Sequence, residues 1–205
     1  MLFLHHHPME MNNANEALTR FRKKMESFAP ISDEDFSHLA GIIHEKYFNK
    51  GEVILKEGQV CKCYYFILSG CIRSFGLEHG REVNVKFYFE DDTACDFISF
   101  REEKPSKFYM VAMEDCTVYY FAKIEAVPIF QNTMSLHIVL FRFFQELYFK
   151  EEEHSNSFKL LSPEERYKFL LEHKPHFLQR IPLMRLASYL GMSRETLTRI
   201  RRKIG

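Results

Sequence analysis

Residues 182–203 read PLMRLASYLGMSRETLTRIRRK, and this stretch predicts two short helices joined by a tight turn. The first helix covers residues 182–190. Gly191 can then adopt the positive φ of a tight turn, and Ser193 can cap the second helix. The small side chain of Ala187 suits a point of close approach between the helices. Two helices and a short turn that contains Gly indicate a helix-turn-helix.

The second helix separates its residues by face. The predicted inward side chains are Leu197, Ile200 and Ile204. The predicted outward side chains are Arg194, Glu195, Thr198 and Arg199. Arginine can donate two hydrogen bonds to guanine and glutamate can accept one from cytosine, so this outward face suits the major groove of DNA. The helix N-terminus favours phosphate.

Charge is concentrated in the same helix. From Arg194 to Lys203 there are five basic residues and one acidic residue, a local net charge of +4, whereas the whole chain is neutral. Arg201, Arg202 and Lys203 are therefore expected to contact backbone phosphates. A solvated amphipathic helix, or a helix that contacts a partner protein, is the alternative interpretation.

A β-rich region precedes these helices. Six short runs rich in Val, Ile, Phe and Tyr are separated by turn signals; they cover residues 53–55, 64–68, 71–77, 83–89, 108–112 and 117–121. Near-regular spacing of short strands predicts an antiparallel barrel or roll. Helices do not alternate with the strands, so an α+β fold is expected rather than a doubly wound sheet.

Helical patterns flank the roll. At the N-terminal side, the first helix carries Leu18, Phe21, Met25 and Phe28, and a second, starting at Ser32, carries Phe36, Leu39, Ile42 and Ile43. Residues 123–160 are interpreted as one dimerisation helix, whose stripe is Leu136, Leu140, Phe143 and Leu147. An adjacent stripe is His137, Phe141, Phe144 and Tyr148. Two apolar faces predict two partners, the roll and a twin helix; a single buried core helix is the alternative.

The last region begins at Ser162, which with Pro163 and Glu165 forms a strong helix start signal. Pro175 and Pro182 are expected to bound a linker before the final helix pair. The predicted division is residues 12–122 for the roll with its flanking helices, 123–160 for the dimerisation helix and 161–205 for the DNA-binding domain.

Bulk features favour a cytoplasmic protein. No stretch is long and apolar enough for a membrane span, and the apolar start is too short for an export signal. The five cysteines form an odd set typical of reduced thiols, and Cys61 and Cys63 are expected to share a face. His5–His7 is either native or an artificial addition.

At Met192–Thr196, with Arg199 following, the sequence resembles the recognition helix of the Crp/Fnr (cyclic AMP receptor protein and fumarate-nitrate regulator) family of transcription regulators. The resemblance extends over the roll, residues 124–160 and residues 162–166. It implies that the residues equivalent to Arg194, Glu195 and Arg199 read bases, and that Ser193 and Thr196 touch phosphate. It also implies a homodimer on a pseudo-palindromic operator, with recognition helices about 34 Å apart, and RNA polymerase as a further partner.

The resemblance also identifies a departure. Family members that bind cyclic nucleotides carry a Gly-Glu pair and, about ten residues later, an Arg that neutralises the cyclic phosphate. Here Cys95-Asp96 and Pro105-Ser106 occupy these places, and Arg101 is out of register. The expected effector pocket contains Asp96, Phe97 and Ser106, and binding of cyclic AMP is not expected. An unknown small-molecule effector, a scaffold role and a divergent cyclic-nucleotide site stay open.

Two other function classes are disfavoured. A cupin-type enzyme needs several metal-binding His residues on its strands, and in the roll only His79 is a candidate, so neither catalysis nor a metal site is expected. The family's iron-sulfur branch uses N-terminal cysteines, and residues 1–60 contain none.

Overall fold

The computed structural model describes the backbone of residues 11–204 and the side chains of residues 15–204. The His5–His7 run and the apolar start of the chain lie outside these residues. The elements follow in the order α1 (Met11–Glu26), α2 (Asp33–Ala40), β1 (His44–Phe48), β2 (Val53–Leu55), β3 (Cys63–Ser69), β4 (Ile72–Glu78), β5 (Arg81–Tyr88), β6 (Thr93–Ala94), α3 (Phe97–Glu102), β7 (Tyr109–Ala112), β8 (Cys116–Ala122), α4 (Lys123–Asn132), α5 (Met134–Leu160), α6 (Pro163–His173), α7 (Pro175–Arg180), α8 (Leu183–Tyr189) and α9 (Arg194–Ile204).

The strands form two four-stranded antiparallel sheets, in the orders β1-β8-β3-β6 and β2-β7-β4-β5. The two sheets face each other as a jelly roll, and the predicted α+β fold with an antiparallel roll is confirmed. Phe66, on β3, is buried and meets Phe21 of α1 edge-on, with ring centroids 5.2 Å apart. Helix α1 thus closes one side of the roll's core, and full burial of one such ring is worth about 2–3 kcal/mol.

The sequence prediction missed the strands β1 and β6 and the helix α3, and it misplaced a helix end. Strand β1 pairs with β8 from His44 to Phe48, but its side chains are exposed except for Phe48. An edge strand with exposed polar side chains has no apolar run to reveal it. Helix α3 begins directly after Asp96, inside the stretch expected to bind the effector. Helix α2 ends at Ala40, so Ile42 and Ile43 fall beyond it.

The predicted helix over residues 123–160 is two helices. Thr133 has an extended conformation, with φ −120° and ψ 107°, and α4 and α5 meet there at 114°. Asn132 and Thr133 have low helix propensity, which favours the break at this point. The long helix is therefore only Met134–Leu160. Within the described residues no single helix is long and apolar enough to cross a membrane, although the bent pair α4–α5 together reaches that length and composition.

The segment between Pro175 and Pro182 also differs from the prediction. It is not a bare linker but contains the short helix α7, which buries Phe177. The Ser162 start signal is confirmed as a capping box: its hydroxyl accepts from the N–H of Glu165, and the Glu165 carboxylate accepts from the N–H of Ser162.

Candidate nucleic-acid interface and effector pocket

Helices α8 and α9 are joined by a tight turn at Gly191, whose φ is +64°. The N–H of Gly191 donates to Ser188 and the N–H of Met192 donates to Ala187, so the last turn of α8 is closed by the backbone. A Cβ at Gly191 would lie 2.7 Å from a ring carbon of Phe158, on α5. Glycine is thus required both by the backbone and by the neighbouring helix.

The start of α9 is organised by Ser193. Its hydroxyl accepts from the N–H of Thr196 at 3.1 Å and lies 3.2 Å from the Thr196 hydroxyl. Hydrogen bonds from its own backbone N–H and from Ser193 hold the pKa of the exposed Glu195 carboxyl below its ordinary value. The first turn is therefore preorganised as predicted, with a cap and an ionised carboxylate at the positive end of the helix dipole.

The two faces of α9 are as the sequence predicts. Leu197 and Ile200 are buried, and Ile204 is half-buried. Arg194 and Glu195 are exposed, as are the further cations Arg199, Arg201, Arg202 and Lys203. The side chain of Thr198 is half-buried, with its hydroxyl donating to the carbonyl of Arg194 at 2.9 Å. An outward basic surface is thus mounted on a buried apolar stripe.

The basic side chains differ in how far they are already paired. Within residues 15–204, Arg194, Arg199 and Arg202 form no ion pair. Lys203 does: its ammonium lies 2.7 Å from Glu164 at the start of α6. That contact, followed by the one from Lys168, holds the pKa of Glu164 below its ordinary value. The three arginines are therefore free for another partner, whereas Lys203 must first leave Glu164.

The helix-turn-helix is docked on the roll, which the sequence did not reveal. The Ser188 hydroxyl accepts from the N–H of Asn84 at 3.0 Å and donates to the carbonyl of Glu82 at 3.3 Å, both on β5. One apolar cluster also joins roll residues to residues of the last helices. Its largest members are Phe87, Phe89, Met113, Tyr167, Phe177, Leu186, Tyr189 and Leu197.

Arg180 links the same two parts by charge. Its guanidinium bonds Glu90 at 2.5 and 3.0 Å and Glu114 at 2.6 and 3.2 Å, and it lies over the ring of Phe89 at 4.8 Å. Burial acts to raise the pKa of Glu90, but hydrogen bonds from Arg180 and from backbone N–H groups outweigh it and leave the pKa lowered. A guanidinium held between two carboxylates is a rigid connection.

Two of the three predicted pocket residues, Asp96 and Ser106, bond each other. The Ser106 hydroxyl, in a residue only 3% exposed, donates to Asp96 Oδ2 at 2.7 Å. The other carboxylate oxygen of Asp96 accepts from the N–H of Ser99 and caps α3. The backbone of Ser106 is engaged as well, by Gly58 and Gln59. The polar side chains of Asp96 and Ser106 are thus satisfied within this cassette, the stretch from Cys95 to Ser106.

A cavity of about 500 Å³ lies elsewhere, between β5, α5 and the helices α6–α8. Of the three predicted pocket residues only Phe97 lines it; Asp96 and Ser106 do not, and their contact with an effector stays a prediction. Aromatic rings form much of its wall; the Phe and Tyr residues are Phe28, Phe87, Tyr88, Phe89, Phe97, Phe143, Phe158, Phe169, Phe177 and Tyr189. Burial raises the pKa of Asp92, which shares the cavity with Lys24, Lys150 and Lys174.

The stripe predicted for a twin helix faces the roll of its own chain. Leu136 and Phe143 are buried in the roll's core cluster, and Leu140 and Leu147 pack against it. This corrects the expected dimer contact. The adjacent stripe is open to solvent: Phe141 is 62% and Tyr148 64% exposed, and Phe144 and His137 are exposed too. The prediction of two apolar faces on α5 is confirmed, and the face that was given to the dimer is the one that the roll covers.

Comparisons with known proteins agree with this architecture. Residues 45–132 match the family model of the cyclic nucleotide-binding domain. The fold is similar to that of FixK2 from Bradyrhizobium japonicum, with a TM-score of 0.67 and 19% identity over 80% of this chain and 84% of that chain. It is also similar to the catabolite activator protein of Thermus thermophilus, with a TM-score of 0.56 and 20% identity over 88% of this chain and 86% of that chain.

A third similar structure is CLP from Xanthomonas campestris, described as a c-di-GMP responsive global regulator. Its TM-score is 0.64 and its identity 16%, over 84% of this chain and 91% of that chain. None of the curated protein sequences compared with the chain matches it significantly. The chain therefore carries a cyclic nucleotide-binding domain at residues 45–132 and has the fold of the Crp/Fnr transcription regulators, as the resemblance of its C-terminal motif predicted.

Proposed function

We propose that this chain is a sequence-specific DNA-binding transcription regulator that acts as a homodimer. The observation that carries the proposal is the surface of α9, where Arg194, Arg199 and Arg202 are exposed and form no ion pair with the described residues. Isolated cations on a capped helix of a helix-turn-helix suit the phosphates and base edges of a major groove. The fold shared with transcription regulators supports the same function.

The side chains of α9 have distinct roles in this proposal. Arg194 and Arg199 read guanine, and Glu195 accepts from cytosine. Ser193 and Thr196, at the helix start, contact phosphate together with the helix N-terminus, and Arg202 and Lys203 contact the backbone further along. The Thr198 hydroxyl is occupied by the Arg194 carbonyl, so its methyl group is left for a thymine methyl.

The homodimer uses the exposed stripe of α5. Phe141 and Tyr148 lie seven residues apart on one face with more than half of each side chain in water. Such a row is typical of a two-helix contact, because a twin helix removes both rings from water. The resulting dimer would place two copies of α9 on the two halves of a pseudo-palindrome.

The effector is not a cyclic nucleotide in this proposal. A buried cyclic phosphate needs a cation, and the place of the Arg is taken by Pro105, next to a Ser106 hydroxyl that is already bonded to Asp96. The cavity beside α5 is the favoured site for an unknown small molecule, and a pure scaffold role for the roll is the second candidate. RNA polymerase is the proposed protein partner. No cofactor is assigned.

The test is a selection of duplexes from a random-sequence pool with the purified full chain. We expect enrichment of a two-fold symmetric motif with half-site centres about ten base pairs apart. Affinity for that motif should fall steeply between about 50 and 200 mM salt, because a protein that neutralises phosphates releases their counterions. The absence of any enriched motif, or a salt-independent affinity, would favour a protein-contact role for α9 and overturn the proposal.

Cyclic AMP is tested separately by calorimetry on the same preparation. We expect no heat of binding at micromolar ligand. Binding in that range would overturn the part of the proposal that concerns the effector, and would favour a cyclic-nucleotide-responsive regulator with a divergent pocket, while leaving DNA recognition untouched.

A further inference from the structure

Two cysteines meet beside the cassette. Cys61 lies in the loop before β3, and Cys95 directly follows β6. Because β6 pairs with β3 at Tyr65 and Ala94, the loop and the cassette are brought together. The two sulfur atoms lie 3.8 Å apart, and the residues are only 3% and 2% exposed.

The two thiols of this pair are chemically unequal. The hydrogen bond with Cys95 is the main reason why the pKa of Cys61 lies below its ordinary value. Burial raises the pKa of Cys95 well above its ordinary value. Cys61 is therefore suited to attack as a thiolate, and Cys95 to follow as the second thiol.

The other cysteines lack this combination. Burial raises the pKa of all three remaining thiols, Cys63, Cys71 and Cys116, and that of Cys116 reaches about 11. The Cys116 thiol donates to backbone carbonyls rather than to another sulfur. These three residues are internal controls in the same chain.

We propose that Cys61 and Cys95 form a reversible disulfide when the protein meets a hydroperoxide such as hydrogen peroxide. The Cys61 thiolate attacks one peroxide oxygen; a sulfur–oxygen bond forms, the oxygen–oxygen bond breaks, and the hydroxide leaves with a proton as water. Cys95 then attacks the resulting sulfenic sulfur, the sulfur–oxygen bond breaks, and a second water leaves. Two thiols and one peroxide thus give one disulfide and two waters. A dithiol reductant reverses the reaction.

The disulfide would join two parts of the cassette that are now held by hydrogen bonds. The N–H of Cys61 donates to the Ser99 hydroxyl in α3, and Cys95 precedes Asp96, which caps α3 and bonds Ser106. A covalent link therefore fixes the loop before β3 to the start of α3. We expect slower amide hydrogen exchange across α3 after oxidation, by several-fold, because its local opening is restricted.

The experiment uses the reduced full chain. It is treated with a few equivalents of hydrogen peroxide, its remaining thiols are alkylated in denaturant, and its peptides are mapped by mass spectrometry. We expect a peptide pair joined through Cys61 and Cys95 that dithiothreitol separates, whereas Cys71 and Cys116 are recovered as alkylated thiols. Cys61→Ser and Cys95→Ser each abolish the joined pair, and Cys63→Ser retains it.

The wild-type map is decisive even if a variant fails to fold. The proposal is overturned if Cys61 and Cys95 are both recovered as thiols while peroxide oxidises other residues. It is equally overturned if Cys61 joins Cys63 or a second chain in preference to Cys95. Unchanged exchange across α3 in a chain that carries the disulfide would overturn the structural consequence.

Discussion

The backbone N–H of Asn84 donates a 3.0 Å hydrogen bond to the hydroxyl of Ser188, across 104 residues of sequence. The donor belongs to strand β5 of the roll, and the acceptor to the first helix of the helix-turn-helix. The same hydroxyl donates to Glu82, so one side chain is bonded to the strand in both directions. The helix-turn-helix is thus held by the roll itself and not only by the helix that leads to it.

Arg180→Ala should loosen this docking. The substitution leaves Glu90 and Glu114 without their shared cation, and we expect the free energy of unfolding to fall by about 1–2 kcal/mol, a value reduced because these side chains are about a third exposed. Urea unfolding measures the change. The matched control is Arg101→Ala, whose partner Glu102 follows it on the surface and whose side chain is 72% exposed. Equal effects of both substitutions would contradict a docking role for Arg180.

Gly191→Ala tests the turn between the last two helices. Gly58 is the control: its φ is also positive, at +84°, but a Cβ there would meet nothing, so its substitution measures only the cost of the backbone conformation. Gly58→Ala should cost about 1–2 kcal/mol of unfolding free energy. Gly191→Ala should cost about 1–3 kcal/mol more, because its Cβ would meet Phe158. The comparison is made by thermal and urea unfolding, and equal costs would mean that Phe158 yields freely.

Substitutions in α9 should separate base reading from phosphate contact. Arg199→Ala is expected to lose sequence preference, whereas Lys203→Ala should weaken binding similarly on all duplexes. Glu164→Gln should strengthen binding similarly on all duplexes, because it releases Lys203 from the carboxylate that now lies 2.7 Å from its ammonium. Anisotropy titrations on selected and scrambled duplexes at several salt concentrations measure all three. Unchanged preference in Arg199→Ala would exclude α9 as the reading helix.

The stability of the contact between α5 and α8 should depend on pH through His154. Its ring stacks on Tyr189 at 5.2 Å, and burial lowers its pKa below the ordinary 6.5; Glu151 raises the pKa, while Lys174 and Lys86 lower it. The unfolded chain then binds the proton more readily, so stabilisation is complete above about pH 6.5 and is lost as pH falls through the folded pKa. His154→Phe retains the ring without the titration. The urea midpoint should fall more from pH 8 to pH 5 for the wild type than for this variant. An equal fall in both proteins would show that His154 does not make the stability depend on pH.

Phe141→Glu should dissociate the proposed dimer. It places a charge on the exposed stripe of α5, where a twin helix would bury it. Light scattering or analytical ultracentrifugation at micromolar chain should report a shift toward the monomer mass. Met184→Glu is the control, since Met184 is an exposed apolar residue of α8 with 69% of its area in water. A wild-type chain that is already monomeric at that concentration would contradict the homodimer itself.

Much of the fold could be predicted because its signals are local. The caps at Ser162 and Ser193 and the positive φ of Gly191 each act within a few residues, and all three are present in the structure. The faces of α9 follow from helical spacing alone. The other strands of the roll, apart from β1 and β6, were predictable for the same reason, since runs of β-branched and aromatic residues are separated by turn residues.

The contacts that could not be predicted from the sequence join residues that are far apart in it. The link between Asn84 and Ser188 and the link between Arg180 and Glu90 join residues far apart in sequence, and no local pattern marks them. The stripe of α5 that packs on the roll was assigned to the dimer, because helical spacing cannot tell which of two apolar faces the roll covers. Sequence signals did place Asp96 and Ser106 near each other, but they did not predict the hydrogen bond between the two side chains.

The docking of the helix-turn-helix on β5 has a consequence for the DNA itself. With α9 held to the roll both through α5 and through β5, the two copies in a dimer would have a fixed angular relation. One inserted base pair between half-sites rotates one half by about 36° and shifts it by about 3.4 Å. A clamped pair of helices cannot follow that change without breaking the contacts of Ser188 or Arg180. Operators for this protein should therefore tolerate substitutions in the spacer but not changes in its length.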